Sequence, residues 1–129
     1  IWDKVINFNL TLNYRLIRSC EHLLKSSKDA KCLFILDKET KEDKPYHIPY
    51  SVSKAGLEKM ISIWAKEVLK DNIDIHYCFA PRMNTFLRKT IIPGLNKSDF
   101  NNPEEISEII IENLLKSNEK DKNLIEILC

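Results

Sequence analysis

Two short apolar runs on either side of one long helical pattern limit the folds open to this chain. The first run covers residues 33–36, and the second, Ile73–Ala80, stops at Pro81. Between them, residues 50–69 carry apolar side chains at helical spacing. A strand, a helix and a strand in this order favour a parallel pair joined by a crossover helix. The order therefore predicts an α/β fold whose ligands bind beyond the carboxyl ends of the strands.

The rest of the chain predicts further helices and one more strand around this unit. Asn102, Pro103 and Glu105 suit the N-cap, N1 and N3 positions of a helix. The first and the longest helical patterns carry too many apolar residues for one narrow stripe, so we expect both to be buried on more than one side. The expected elements are a helix over residues 2–26, a strand over 32–36, a charged loop to Pro49, a helix over 50–69, a strand over 73–80, a short helix over 85–92, a helix from Pro103 and a strand over 124–128.

Tyr50 and Lys54 stand one helical turn apart at the start of the longest helix. That spacing puts a phenol and an ammonium on one helix face. A nearby ammonium favours the phenolate and so lowers a tyrosine pKa from about 10, which suits a proton donor or acceptor. Tyr50 is therefore a candidate general acid/base. The alternative stays open, because any amphipathic helix can place these two common residues four positions apart.

Three segments stand in order along the chain: residues 2–11 (WDKVINFNLT), Tyr50-x-x-x-Lys54 and residues 80–85 (APRMNT). Together they resemble the short-chain dehydrogenase/reductases. The first is similar to the family's helix with the active-site asparagine, the second to its catalytic pair, and the third to the segment after its next strand. The resemblance spans nearly the whole chain and implies a partial doubly wound, Rossmann-like parallel sheet with flanking helices.

The resemblance covers only the second half of a family member. The family's dinucleotide site begins with a strand and a glycine-rich turn, because glycine lets the backbone approach a pyrophosphate. The two glycines here, Gly56 and Gly94, are isolated, and the chain begins at Ile1 without methionine. We expect residues 1–129 to form a single domain that corresponds to the C-terminal half, as a truncated product or as one fragment of a split chain.

The resemblance also implies roles for individual residues. Tyr50 and Lys54 would both act in catalysis and contact the cofactor: Tyr50 would donate a proton to a carbonyl oxygen as hydride arrives from nicotinamide, and Lys54 would hold the nicotinamide ribose. Asn9 would hold a water that links the lysine to solvent, with a surface asparagine as the alternative. Pro81 and Thr85 would border the nicotinamide. The implied cofactor is NAD or NADP, and the residues that choose between them belong to the missing half.

One departure from the family pattern affects catalysis directly. Where a serine should follow the first strand, the chain has Asp37 and Lys38. A carboxylate beside Tyr50 would oppose phenolate formation, whereas an oxyanion needs a neutral hydroxyl donor. Thr40 is a candidate substitute for that donor. Every residue of segment 37–44 except Thr40 is charged, and Lys38 to Lys44 is most simply a solvated loop.

A second departure follows the strand that ends at Ala80. Arg82 stands where the family has a glycine after the proline, and it crowds a position at which backbone approaches cofactor. Contact between the cofactor and the backbone at Arg82 is therefore left open.

His47, three residues before Tyr50, is a weaker candidate base, because a loop histidine most often has no catalytic role.

Charge and cysteine content exclude several classes of function. The net charge is +1, and 20 basic residues are interspersed with 19 acidic ones, which leaves no basic stripe for a nucleic-acid backbone. The 4 cysteines are scattered without a C-x-x-C pair, which predicts reduced thiols and no metal site. No apolar stretch approaches the roughly 20 residues of a membrane span. We expect a cytoplasmic protein with neither nucleic-acid nor membrane partners.

Two classes of function remain open. The first is an NAD(P)-dependent oxidoreductase acting on a small carbonyl or hydroxyl compound, completed by an N-terminal half and inactive as the isolated chain. The second is a non-catalytic remnant or interaction module that associates through its two long helices. The resemblance implies that these helices pack against a partner subunit, so a homo-oligomer is expected in either case, with burial against the sheet as the alternative.

Overall fold

The computed structural model describes residues 1–86, 90, 100–116 and 123–129. Two irregular helical turns accompany the regular elements: a π-helical turn, Asn7–Thr11, joins the first two helices into one continuous segment, and a 3-10 helix, Lys38–Lys41, follows the first strand. The regular elements, in chain order, are α1 (Trp2–Ile6), α2 (Leu12–Ser26), β1 (Ala30–Asp37), α3 (Ile48–Glu67), β2 (Ile73–Ala80), α4 (Pro103–Lys116) and β3 (Leu124–Glu126).

The three described strands form one parallel sheet in the order β1-β2-β3. The register runs from Ala30 opposite Ile73 to Asp37 opposite Ala80, so β1 and β2 end side by side. Helix α3 connects them, as a parallel pair requires. The predicted α/β fold, a partial Rossmann-like sheet with flanking helices, is confirmed.

Most element boundaries lie within two residues of those predicted. Strand β2 coincides with its prediction, and α3 begins two residues early because Pro49 belongs to its first turn. Strand β1 is longer and β3 shorter than expected. The predicted helix over residues 85–92 lies mainly outside the described residues.

The charged segment after β1 differs from its prediction. It was expected to be a solvated loop, but Lys38–Lys41 forms a 3-10 helix, whose first turn is capped where Asp37 Oδ1 accepts a hydrogen bond from Glu39 N at 2.8 Å. Aspartate is a favoured capping residue because its short side chain reaches the free amides of the first turn. Charge alone did not reveal this cap.

Both faces of the sheet are covered by helices. On one face, buried side chains of α3, among them Leu57, Ile61 and Trp64, pack with Ile73 and Ile75 of β2. On the other face, α4 contributes its own apolar stripe; the cluster there is Cys78, Ile106, Ile110 and Ile127. Burial of this apolar surface is the main force that holds α3 in place beside β1 and β2.

The first helical segment packs against α3. The approach is close at Gly56, where a Cβ atom would lie 3.0 Å from Leu10 Cδ2. Apolar side chains nonetheless remain exposed on both helices: Phe8, Leu12, Leu16 and Leu23 on the first segment, and Val52 and Ile63 on α3. No helix in the described part of the chain is long and apolar enough to cross a lipid bilayer.

Candidate active site

A cavity of about 560 Å³ opens at the carboxyl ends of β1 and β2. This is the edge of the sheet at which the strand order predicted a ligand site. Its walls come from the first helix, the end of β1, the 3-10 helix, the start of α3 and the segment after β2. The lining residues are Ile1, Val5, Ile35, Leu36, Asp37, Glu39, Thr40, Tyr46, His47, Pro49, Tyr50, Lys54, Ala80, Pro81, Met83 and Thr85.

Tyr50 and Lys54 lie on the first turns of α3 and face the same cavity. Lys54 Nζ donates a hydrogen bond to the carbonyl oxygen of Ile35 at 3.0 Å and lies 5.9 Å from the centre of the Tyr50 ring. Burial lowers the pKa of the Lys54 ammonium below its usual value, and the nearby Asp37 carboxylate opposes this shift. The helical spacing thus brings the two predicted residues together, with the ammonium near the ring.

The Tyr50 hydroxyl donates a hydrogen bond to Asp37 Oδ2 at 2.9 Å. Asp37 therefore stands beside the phenol, where the family resemblance called for a serine. A carboxylate that accepts the phenolic hydrogen stabilises the neutral phenol and disfavours the phenolate. Thr40, the candidate substitute for the serine, lines the cavity, but its hydroxyl donates to the Asp37 carbonyl oxygen at 2.7 Å. In this arrangement the Thr40 hydroxyl hydrogen is directed at the backbone.

Glu39 joins the loop after β1 to the segment after β2. Its Oε1 atom lies 2.6 Å from Lys44 Nζ and 2.7 Å from Arg82 Nε. Arg82 is turned toward this carboxylate and is not among the described lining residues of the cavity. The arginine that replaces a small residue after Pro81 is thus accommodated by an ion pair, which the sequence did not predict.

Pro81 and Thr85 both line the cavity. They follow β2 directly, and the Thr85 amide donates to the Met83 carbonyl oxygen at 2.9 Å. Parallel strands that end together bring these residues near Tyr50 and Lys54 across about 30 intervening residues.

Asn9 is the one candidate residue that is not among the described lining residues of the cavity. It lies, half-buried, in the π-helical turn, and its carbonyl oxygen accepts a hydrogen bond from Asn13 Nδ2 at 2.9 Å. Turns of this kind occur often at functional sites. Val5 of α1 and Ile1, just before that helix, line the cavity instead, and no sequence pattern signalled their role.

A family model of the short chain dehydrogenases matches residues 1–96. The chain belongs to this family. This result agrees with the resemblance seen in the three sequence segments. The family to which the chain belongs is a family of oxidoreductases. No curated protein sequence matches this chain.

Solved structures share the fold of this chain at low sequence identity. One from Salmonella enterica serovar Typhi has a TM-score of 0.83 at 17% identity and covers 98% of this chain and 52% of its own. One from Pseudomonas syringae has a TM-score of 0.83 at 20% identity, with 97% of this chain and 51% of its own covered. A Shigella flexneri 2a dehydrogenase solved in complex with NADP has a TM-score of 0.83 at 17% identity, with 97% and 52% covered.

The chain spans about half the length of these solved structures. The half that matches carries Tyr50, Lys54, Pro81 and Thr85. Of the two glycines in the sequence, Gly56 lies within α3, and Gly94 lies outside the described residues. No glycine is among the described residues that line the cavity.

Proposed function

We propose that this chain carries the catalytic tyrosine and lysine of an NAD(P)-dependent oxidoreductase that transfers hydride between nicotinamide and a small carbonyl or hydroxyl compound. The observation that carries the proposal is the presence of Tyr50, Lys54, Pro81 and Thr85 in one cavity at the carboxyl ends of β1 and β2. Family membership supports the reaction class. The NADP in the Shigella flexneri structure supports the choice of cofactor type.

The residues present suit the nicotinamide end of NAD or NADP. Lys54 would hold the nicotinamide ribose through its ammonium, and Pro81 and Thr85 would border the ring. When bound, the nicotinamide supplies or accepts the hydride. Tyr50 would move a proton to or from the substrate oxygen, while Asn9 would help connect Lys54 to solvent. The apolar lining from Val5 and Ile35 would keep bulk water away from the reacting atoms.

The pyrophosphate end of the cofactor needs a glycine-rich segment, and the described residues contain none. We propose that residues 1–129 act as one domain, the C-terminal half of the enzyme, and that an N-terminal half completes the cofactor site. The isolated chain is accordingly expected to turn over no substrate. The expected setting is the cytoplasm.

A second candidate function is an interaction module without catalysis. Apolar side chains on the outer surface of two packed helices favour it: Phe8 is 66% exposed, Leu23 is 71% exposed, and Val52 and Ile63 of α3 are also exposed. Surfaces of this kind mark protein–protein contacts. A homo-oligomer formed through these helices is compatible with either function.

The deciding experiment uses the polypeptide expressed from its complete reading frame. Titration with NADPH and NADH, followed by nucleotide fluorescence, measures cofactor binding, and turnover is then assayed with small carbonyl compounds. Tyr50→Phe should lower kcat by about 10²–10⁴-fold, the contribution of general acid/base catalysis, with unchanged nucleotide affinity. Tyr14→Phe, on the exposed surface of α2, is the matched control and should change neither quantity.

The same experiment separates the two candidate functions. Binding of either nucleotide together with loss of turnover in Tyr50→Phe supports the oxidoreductase. If neither nucleotide binds, the oxidoreductase is excluded. Sedimentation of the same preparation then tests the interaction module, which requires self-association that Phe8→Ser weakens.

A further inference from the structure

Asp37 places a carboxylate in the wall of the cavity, in direct contact with the candidate catalytic phenol. Oδ2 accepts the hydrogen bond of Tyr50, and Oδ1 accepts that of the Glu39 amide. Both donors are neutral groups. An ionised carboxylate offers about four lone-pair sites, so these two hydrogen bonds leave acceptor capacity on each oxygen. The structure therefore presents an anionic acceptor beside Tyr50.

The neighbouring charges of the cavity have other direct partners. Glu39 is ion-paired with Lys44 and Arg82. The Lys54 ammonium donates to the Ile35 carbonyl oxygen. Lys54 and Asp37 attract each other at a distance, without direct contact. No cation among the described residues lies within ion-pair distance of the Asp37 carboxylate. Asp37 is thus a cavity carboxylate with neutral direct partners, which is the arrangement that most favours a cationic ligand.

The chemistry of the ligand follows from that acceptor. A neutral carbonyl oxygen has only lone pairs, and placed against a carboxylate it meets a second acceptor and a like partial charge. A cationic nitrogen carrying N–H groups instead donates a charge-assisted hydrogen bond to the same oxygen. The apolar lining from Val5, Ile35 and Met83 suits a flat or aliphatic body behind that nitrogen.

We propose that the cavity selects substrates that present a cationic N–H group, such as an amidinium, a protonated imine or an ammonium, to Asp37. This inference rests on the proposed function, since it assigns the substrate class of the same cavity. Asp37 acts here as a specificity-determining residue beside Tyr50, and the position that would polarise a neutral carbonyl in the family instead attracts positive charge.

The test compares two probes of nearly the same shape, the benzamidinium cation and neutral benzamide. Binding to the polypeptide expressed from its complete reading frame is measured at neutral pH by isothermal calorimetry, without nucleotide. A charge-assisted hydrogen bond should make benzamidinium bind about 10- to 100-fold more tightly than benzamide. Asp37→Asn, a neutral residue of the same shape, should remove this preference. Asp43→Asn deletes an equal charge from the same segment, on an exposed side chain, and should retain it.

Three outcomes overturn the inference: equal affinities for the two probes, binding of neither, or a preference that survives in Asp37→Asn. The comparison of the two probes on the unmodified protein does not depend on whether a variant folds. Nucleotide binding is titrated separately. Loss of nucleotide binding with an intact preference for benzamidinium contradicts the proposed function alone, and nucleotide binding without that preference contradicts the substrate class alone.

Discussion

The two polar walls of the cavity differ in how they are built. The helix wall, Tyr50 and Lys54, matches the family pattern and belongs to α3, whose other side packs into the core. The loop wall, Asp37, Glu39 and Thr40, departs from that pattern. Its 3-10 helix has no buried residue and is held by a cap and by surface ion pairs.

The difference between the helix wall and the loop wall indicates which part of the site can change without loss of the fold. A side chain on α3 has its position set by apolar packing, which depends little on the polar group that faces the cavity. The 3-10 helix of the loop wall has no buried residue, and Asp37 is a half-buried residue at the last position of β1, so we expect changes of these side chains to cost little stability. We therefore expect substitutions in the loop wall to alter chemistry, and substitutions beneath the helix wall to alter stability.

The largest expected effect comes from restoring a hydroxyl donor to the loop wall. In Asp37→Ser, the carboxylate acceptor beside Tyr50 is replaced by a neutral donor, and serine can still cap the 3-10 helix. Turnover of neutral aldehydes or ketones by the polypeptide from the complete reading frame should rise by about 10²–10³-fold in kcat/KM, the value of one donor to a developing oxyanion.

Asp37→Ala is the control for that prediction, because it removes the carboxylate without adding a donor. It should give a smaller gain than Asp37→Ser. An equal gain in both variants would mean that the carboxylate only repels substrate, and no gain in either would contradict the assigned difference between the two walls.

Packing beneath the helix wall gives the next effect. Ile61 of α3 is 2% exposed, and Ile63, two positions on, is 47% exposed. Ile61→Val should lower the free energy of unfolding by about 0.5–1.5 kcal/mol, through lost burial and a small cavity. Ile63→Val, the matched surface change, should stay within about 0.5 kcal/mol. Urea denaturation measures both, and equal losses would show that α3 is not anchored by its inner face.

Much of the fold and part of the candidate site follow from local sequence patterns. The apolar run that stops at Pro81 set the bounds of β2, and the helical pattern from Tyr50 located α3, although Pro49, predicted to belong to the loop, lies in its first turn. Parallel strands that end side by side then bring Tyr50, Lys54 and Thr85 to one cavity, because helix and loop starts lie at that edge. These predictions needed only periodicity, chain order and a family resemblance.

The loop wall could not be predicted in the same way. A run of charged residues does not say which charge pairs with which, and the ion pair between Glu39 and Arg82 joins residues far apart in the chain. The cap by Asp37 depends on the backbone conformation after β1. The placement of Asn9 in a π-helical turn is likewise a property of how the first helix packs, not of its residue types.

The ion pair of the loop wall should contribute less than the core. Arg82 and Glu39 are 2.7 Å apart, and the Arg82 side chain is 51% exposed, so water and salt screen the attraction. A double-mutant cycle with Arg82→Gln and Glu39→Gln should give a coupling of about 0.2–1 kcal/mol, smaller at high salt. The exposed pair of Glu112 and Lys116 in α4 is the control. A coupling well above this range, insensitive to salt, would make the loop wall as firmly held as the helix wall.

The smallest effect tests whether the two walls act on each other. Burial lowers the pKa of Lys54 from the usual 10.5, and the Asp37 carboxylate raises it. Asp37→Asn removes that attraction, so the Lys54 ammonium should titrate at lower pH than in the unmodified protein, whereas Asp43→Asn should leave the titration unchanged. NMR detection of the Lys54 side chain, assigned with Lys54→Arg, measures the titration. Since the unfolded chain binds the proton more tightly than the folded one, stability should increase as the pH rises from the lowered pKa toward 10.5, and more steeply in Asp37→Asn. An unchanged or raised titration in Asp37→Asn would show that the helix wall does not sense the charge of the loop wall.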